Sequence, residues 1–362
     1  MTGLRAEFHP FRLALMAPLV TGGVPIRFRA GFLVSFTAGG VTGWGEASPL
    51  PGWSRTSLLE TEAALRRACD ELDRGGEAVL SSLLAAMGDT PHARAGVAGA
   101  WADLQARRAG QPLAERLGAD PTRAPVSGVA VNALIAATEP FEVEQAAHYA
   151  VGSGFRAVKL KVGAVDPSVD VARVRAAHAG LGSGAELRLD ANGAWDQATA
   201  LDVLDRVRDC DIAYCEEPVA GIEAIAAVGE RSTVPVAADE SIHGETDAMR
   251  ALGLGISTLI VKPQALGGPD VALSIADRAR QAGASVTVTS FLDSAIGVSH
   301  ALHVAAVVDA AAPDSAAHGL ATSGLLARDV AGPPPIVGGR MRLSEAPGLG
   351  IEPAGAYWGG EL

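Results

Sequence analysis

Apolar and polar positions follow two different rhythms along this chain, and the rhythm changes near residue 126. Before that point, Phe11–Ala17, Phe32–Thr37 and Val41–Trp44 run apolar or alternate with period two, the spacing of strands buried on one face. Gly39-Gly40, between the last two, predicts a tight hairpin. Ser57–Leu72 and Ala93–Ala109 carry apolar residues three and four apart and predict helices, the second ended by Gly110 and Pro112. Gly118–Ala124, with Asp120-Pro121 inside it, predicts a linker.

From Val126 onward, strand and helix patterns alternate. The predicted strands are Val129–Leu134, Ala157–Val162, Glu186–Asp190, Ala213–Cys215, Val234–Ala238, Thr258–Val261, Ser285–Thr289 and a weaker one near His318–Leu320. Each of the first seven leads into an amphipathic or alanine-rich helical stretch. Eight strands in this alternation predict an α/β fold, a (β/α)-barrel. A doubly wound sheet would need a glycine-rich nucleotide turn after an early strand, and the sequence has none. The expected domains are an α+β unit over 1–122, the barrel over 123–330, and a tail over 331–362 that packs back on the first unit.

Composition narrows the partners. With 48% hydrophobic and 19% charged residues, the 362-residue chain can bury a large core and does not read as disordered. A net charge of −12 argues against nucleic acid and anionic membrane surfaces as partners, but not against a locally positive site for a small anion. Three cysteines without a CxxC spacing, Cys69, Cys210 and Cys215, read as reduced thiols of a cytoplasmic protein. The first twenty residues, with charges and prolines in their apolar part, read as a strand and not a signal peptide, and no apolar run is long enough to cross a membrane. Composition leaves monomer and homo-oligomer equally open.

The chemistry sits at the strand ends. Strand two ends in Lys159-Leu160-Lys161, strand three in Asp190-Ala191-Asn192 and strand four in Glu216-Glu217. Strand five ends in Asp239-Glu240 and strand six in Lys262. In a barrel these ends converge on one face, where active sites lie. One charged residue after a strand is ordinarily a solvated loop group or an ion-pair partner; five successive ends carrying acids and lysines make a set. Three carboxylates from neighbouring strands suit Mg²⁺, with Mn²⁺ as a substitute, and the absence of His and Cys at these ends argues against zinc. Such a cation would grip a substrate carboxylate and offset the charge that appears when the adjacent proton leaves. Lys159 and Lys161 share one face because strand side chains alternate, so their ammoniums repel one another.

The strings AVKLKVG, LRLDANGAW, YCEEPV, VAADES and IVKPQALGG, in this order and spacing, resemble the enolase superfamily in its muconate-lactonizing subgroup. GWGEASPL and AWADLQARRAGQPLAERLG extend the resemblance to the first domain. The resemblance implies a modified TIM barrel, (β/α)7β, with an N-terminal α+β capping domain completed by the C-terminal tail. It implies Asp190, Glu216 and Asp239 as metal ligands, Lys161 as the lysine that moves the proton, Lys159 as its electrostatic neighbour and Lys262 as the lysine on the opposite face. Asn192 and Glu240 would support the ligands from behind. The substrate would be a small carboxylate. Arg188, TSFLDSAIG and HGLATSGLLARDV point within the subgroup to a dehydrating carbon–oxygen lyase of menaquinone synthesis; isomerases on the same scaffold (racemases, epimerases, cycloisomerases) are the alternative.

Weaker candidates carry bland readings beside the functional ones. Arg27 and Arg29 would meet a second carboxylate of the substrate, or are two solvated arginines. Trp53 would belong to a lid loop, or anchors packing. Ser290 would donate its hydroxyl to the substrate, or does ordinary loop work. Arg188 faces the barrel interior with Asp190, as a substrate contact or as half of a buried ion pair. His300 and His303 share a helical face and read as decoration of that helix.

Overall fold

The computed structural model describes residues 3–21, 24–120, 122, 128–312 and 317–354. Three antiparallel strands open the fold: β1 (Arg5–Thr21), β2 (Val24–Ala38) and β3 (Val41–Ala47), in spatial order β1-β2-β3. Gly39 and Gly40 turn the hairpin with φ of 62° and 79°, the left-handed pair that matches strand twist. The β1–β2 register shifts between Ala14 and Leu19, so this long ribbon bends toward its tip.

Helices α1 (Leu58–Gly75), α2 (Leu80–Ala86) and α3 (Pro91–Ala109) cover one face of the sheet, and Ser57 with Glu60 forms a capping box at the start of α1. Phe32, Val34, Phe36, Leu65, Leu72 and Leu104 fill the space between. The α2 helix was not expected; its apolar signal is only Leu80, Leu83 and Leu84 within seven residues. Gly43 and Gly45 let β3 run against α3: a Cβ on Gly45 would lie 2.1 Å from the Gly96 carbonyl oxygen.

After the short α4 (Leu113–Arg116) the barrel begins. Its first strand is broken into β4 (Val129–Ala130) and β5 (Ala133–Ile135). Then follow α5 (Pro140–Gly152), β6 (Ala157–Lys161), α6 (Pro167–Leu181), β7 (Glu186–Asp190), α7 (Gln197–Arg206), β8 (Ile212–Glu216), α8 (Ile222–Gly229), β9 (Val236–Ala237) and α9 (Glu245–Gly253). The circuit is completed by β10 (Thr258–Val261), α10 (Pro263–Leu266), α11 (Pro269–Gln281), β11 (Ser285–Val288) and α12 (Ala295–Ala311). Strands β5-β6-β7-β8-β9 form one parallel sheet and β10-β11 another. Parallel bridges close the ring: Ala238 to Leu259, Thr289 to Gly319, and His318 back to Val131. The eighth strand is therefore two bridges and not a full strand. The linker expected at 118–124, and with it the 122/123 boundary, falls partly outside the described residues.

Side chains alternate along each barrel strand. Leu160, Leu189 and Cys215 point out to the helices and join the largest core, while Lys159, Lys161, Arg188, Asp190, Tyr214 and Glu216 point in. The tail splits between the two units. Strand β12 (Ile336–Val337) pairs with β13 (Arg340–Met341), which pairs with β4 of the barrel. Further on, the Leu349 amide donates to Asp103 of α3 at 2.7 Å and Leu113 donates to Gly348 at 2.8 Å. Phe11, Leu33, Leu113, Phe291, Ile296 and Leu349 form a third core where cap, barrel and tail meet. Among the described residues, no helix is long and apolar enough to cross a membrane.

Candidate active site

Strand register builds the site. Lys161, Asp190 and Glu216 are direct neighbours across β6, β7 and β8, and Glu216 is opposite Ala237 on β9. Asp239, two residues beyond Ala237, continues that row past the strand end. One layer down, Lys159, Arg188 and Tyr214 form a second row in register. Glu217 turns away with φ of 42°, and its carboxylate accepts from the Asp239 amide at 2.8 Å and from the Ser241 hydroxyl. Glu216 is thus the inward acid of the pair.

The lysines hold the acids. Lys159 Nζ lies 2.8 Å from Asp190 Oδ2 and 3.0 Å from Glu216 Oε1. Lys161 Nζ lies 2.6 Å from Asp190 Oδ2 and 2.8 Å from Asn192 Oδ1. Lys262 Nζ pairs closely with Asp239 and sits 3.8 Å from Glu240 Oε1. The Asn192 amide donates to Glu240 at 3.0 Å, so Asn192 and Glu240 bridge the two lysine-bearing sides of the mouth. Lys161 is the most open of the three lysines, with 34% of its side chain exposed against 12% for Lys159 and 16% for Lys262. It is the amine best placed to meet a bound molecule.

Charge in the cluster is unbalanced. Asp190, Glu216, Glu217, Asp239 and Glu240 set five acids against three lysines, a formal surplus of two negative charges in a largely buried space. Burial opposes the charged form of Asp190, but the ammoniums of Lys159 and Lys161 outweigh it and hold its carboxyl below the usual range. Burial and the Asp190 charge push Glu216 well up, and burial with the neighbouring Glu240 raises Asp239 to about 6. For Lys159 and Lys262, burial works toward neutrality, and the surrounding carboxylates overcome it and raise both.

Among the described residues no three acidic, His or Cys side chains are arranged as a finished metal cage. The donor chemistry nonetheless fits a hard divalent cation. Asp190, Glu216 and Asp239 are buried oxygen donors at the ends of successive strands, and burial opposes the charged forms of Glu216 and Asp239. A dication at that point would match the surplus charge. The lysine contacts on Asp190, Glu216 and Asp239 would have to loosen as it enters.

Above this row is a cavity of about 400 Å³. Lys159, Lys161, Asp190, Asn192, Asp239, Glu240 and Lys262 line it with polar groups. Leu19, Val20, Leu50, Leu134, Ala321 and Leu325 add apolar lining. Trp53 and Ser290 also line it, and the Ser290 hydroxyl shares a 2.8 Å hydrogen bond with Thr322. Sequence reasoning missed Leu19 and Val20 at the ribbon tip, and Asn132 and Thr289. Thr289 lines the cavity, and its hydroxyl is buried without a partner among the described residues.

Two expected contacts lie elsewhere. Arg29 is 1% exposed and is not among the residues lining the cavity. Its guanidinium donates to the carbonyls of Leu292 at 3.0 Å and Pro49 at 2.5 Å, to the Ser48 carbonyl, and to the Ser48 hydroxyl at 2.9 Å. It pins the cap to the loop after β11 and has no donor turned to the cavity. Arg188 is fully buried below the acid row, paired with Glu186 at 2.5 Å, donating to the Ala317 carbonyl and lying 5.1 Å above the Tyr214 ring. Arg188 is not among the residues lining the cavity. His300 and His303 do not decorate a surface either: both are buried, His300 against the Trp44 carbonyl at 2.8 Å and His303 accepting from the Ala114 amide at 3.0 Å.

Residues 142–357 match the family described as Enolase C-terminal domain-like, and residues 4–95 match the family described as MenC, N-terminal domain. An o-succinylbenzoate synthase from Thermobifida fusca is 36% identical over 57% of this chain. That match spans 63% of the relative's own length, just under two thirds. Muconate cycloisomerase 1 from Rhodococcus opacus is 30% identical over 87% of this chain and 86% of its own. The crystal structure of an enolase superfamily member from Roseovarius nubinhibens, complexed with magnesium, is similar with a TM-score of 0.86, 26% identity and 98% of each chain covered.

Proposed function

This chain belongs to the enolase superfamily, and we propose that within it the protein is an o-succinylbenzoate synthase, a carbon–oxygen lyase. It dehydrates 2-succinyl-6-hydroxy-2,4-cyclohexadiene-1-carboxylate to 2-succinylbenzoate, a step of menaquinone synthesis in the cytoplasm. The match of the cap to the MenC N-terminal family and the o-succinylbenzoate synthase relative support this choice.

The observation that carries the reading is the mixed lining of the cavity. Its acids and lysines lie at the strand-end row, and Leu19, Val20, Leu50, Leu134, Ala321 and Leu325 add apolar surface. A ring carboxylate fits the charged groups and the carbocycle fits the apolar surface. Among the described residues, the acids lining the cavity are Asp190, Asp239 and Glu240 of the row itself, and no further carboxylate is offered to a substrate ammonium. This disfavours a dipeptide.

Asp190, Glu216 and Asp239 would hold Mg²⁺, or Mn²⁺ in its place. When bound, the cation supplies positive charge that holds the substrate carboxylate and offsets the second charge formed as the adjacent proton leaves. Lys161, the open lysine, takes that proton and returns it to the departing hydroxyl as water forms. Lys262 stays cationic beside the ring and offsets the negative charge that collects on the carboxylate. Asn192 orients Lys161 through its 2.8 Å hydrogen bond.

A second reading is supported by Lys262 itself. A lysine on each side is what racemisation needs, and an N-succinylamino acid carries no ammonium in need of a further carboxylate. The test is direct. The purified protein with Mg²⁺ is given the cyclohexadiene carboxylate, and product is followed by chromatography and mass spectrometry; N-succinylamino acids in D₂O are assayed beside it. Dehydration much faster than α-deuteration supports the lyase reading. Deuteration without dehydration overturns it in favour of the racemase.

A further inference from the structure

The loop that carries Lys262 is held from the capping domain. Lys262 is the residue before the single turn α10, and Gly267 and Gly268 follow with φ of 103° and 128° before α11 begins. Both glycines press against the cap helix α3. A Cβ on Gly267 would meet Arg94 Cδ at 3.1 Å, and one on Gly268 would meet the Ala98 Cβ at 2.9 Å.

Three cap side chains grip this loop at both ends. Arg94 donates to the Gly267 carbonyl at 2.6 Å and forks onto Asp270 at 3.0 and 2.7 Å, with its Nε tied to the Leu84 carbonyl at 3.1 Å. The Ser48 hydroxyl accepts from the Gln264 side chain at 3.1 Å. His92 hydrogen-bonds the Gln264 backbone and stacks on Phe291 at 5.7 Å, and Lys262 Nζ lies 5.9 Å from the centre of that same ring. Lys159 and Lys161, by contrast, sit on a continuous strand inside the barrel sheet.

We propose that Arg94 is a positioning residue for Lys262: the cap helix sets where the second lysine stands, through a bidentate clamp on the βα loop, while the barrel alone sets Lys161. This rests on the reading of Lys262 as the cation beside the reacting ring. Geometry matters because a displacement of about 1 Å at a reacting group can cost on the order of 100-fold in rate. Arg94 is chemically suited to the task, since its planar fork engages a carbonyl and a carboxylate at once, which an ammonium does not.

Two arms test this on the Mg²⁺-loaded full chain. In hydrogen–deuterium exchange, Arg94→Met should speed exchange at least tenfold in the 262–272 segment, whose amides Ala265, Leu266, Gly268 and Ala272 report α10 and the start of α11. The 157–163 segment should stay unchanged. In turnover, kcat should fall about tenfold or more with KM within twofold, Arg94→Lys should restore only part of it, and Asp270→Asn should reproduce the effect more mildly. Exchange unchanged at 262–272, or raised equally across α3 and the barrel, overturns the clamp; so does an unaltered kcat. If Arg94→Met does not fold, Asp270→Asn carries both arms, its side chain being half exposed. A wild-type enzyme that does not dehydrate defeats the proposed function, and the exchange arm still decides the clamp.

Discussion

Replacing Arg29 with methionine separates two roles that look alike in sequence. The methionine keeps most of the apolar stem and removes the guanidinium. Five backbone carbonyls, those of Ala30, Ser48, Pro49, Phe291 and Leu292, then lose a donor around a side chain that is almost fully buried. Each buried acceptor left unpaired costs about 1–3 kcal/mol, with some relief by relaxation. The substitution also strips a cation from beside Asp293 and Glu46, two buried acids. Removing one partner of a buried charge group costs about 3–5 kcal/mol, and that is the expected total here, since the carbonyl and charge losses overlap. The assay is urea unfolding of the Mg²⁺-loaded enzyme beside steady-state kinetics. Stability should drop by about 3–5 kcal/mol, with KM at low temperature changed less than threefold. A variant as stable as its parent but with KM raised tenfold or more would refute the reasoning and return Arg29 to the substrate.

Other consequences concern pH, the second lysine and the cavity wall. Burial lowers His303 to about 4, below the unfolded value near 6.5, so its neutral form contributes stability that is complete above pH 6.5 and is lost as pH falls toward 4. His303→Asn should therefore lose about 3 kcal/mol less than its parent between pH 6.5 and 4 by urea titration, and parallel curves would contradict the burial argument. The difference is the quantity to read, because burial raises Asp103 and Asp329 to about 6 and these run the opposite way. Lys262→Arg keeps the charge and forfeits easy proton transfer, so any racemisation should fall at least tenfold further than dehydration does; equal losses would argue for proton transfer in both. Leu325→Asp puts a carboxylate in the apolar lining and should raise KM for the diene at least tenfold, whereas an unchanged KM would place the ring elsewhere.

The residues at the strand ends were legible because each follows an apolar run by a fixed offset. Once eight strands are recognised, the period-two alternation puts Lys161, Asp190 and Glu216 in one inward row with no further information. The long contacts were not legible. Arg29 reaches a carbonyl 263 residues away, and nothing in the string RFRAG tells a strand arginine facing solvent from one spent on backbone oxygens. His300 and His303 misled for a related reason. Helix α12 is buried on nearly all sides, so its pattern carries no polar face to mark where a histidine would be exposed. The eighth strand read weakly because only His318 and Gly319 pair, each by a single bridge.

The account rests most heavily on one amine. Lys161 is the lysine most open to the cavity and is bonded to both Asp190 and Asn192. Its removal should abolish proton transfer while leaving the acid row and the pocket in place. The direct measurement is turnover of the cyclohexadiene carboxylate to 2-succinylbenzoate by Lys161→Ala at saturating Mg²⁺, beside binding of the product to the same variant. The expected result is a loss of at least about 1,000-fold in kcat with product binding kept within tenfold. Dehydration within tenfold of the parent enzyme would contradict it.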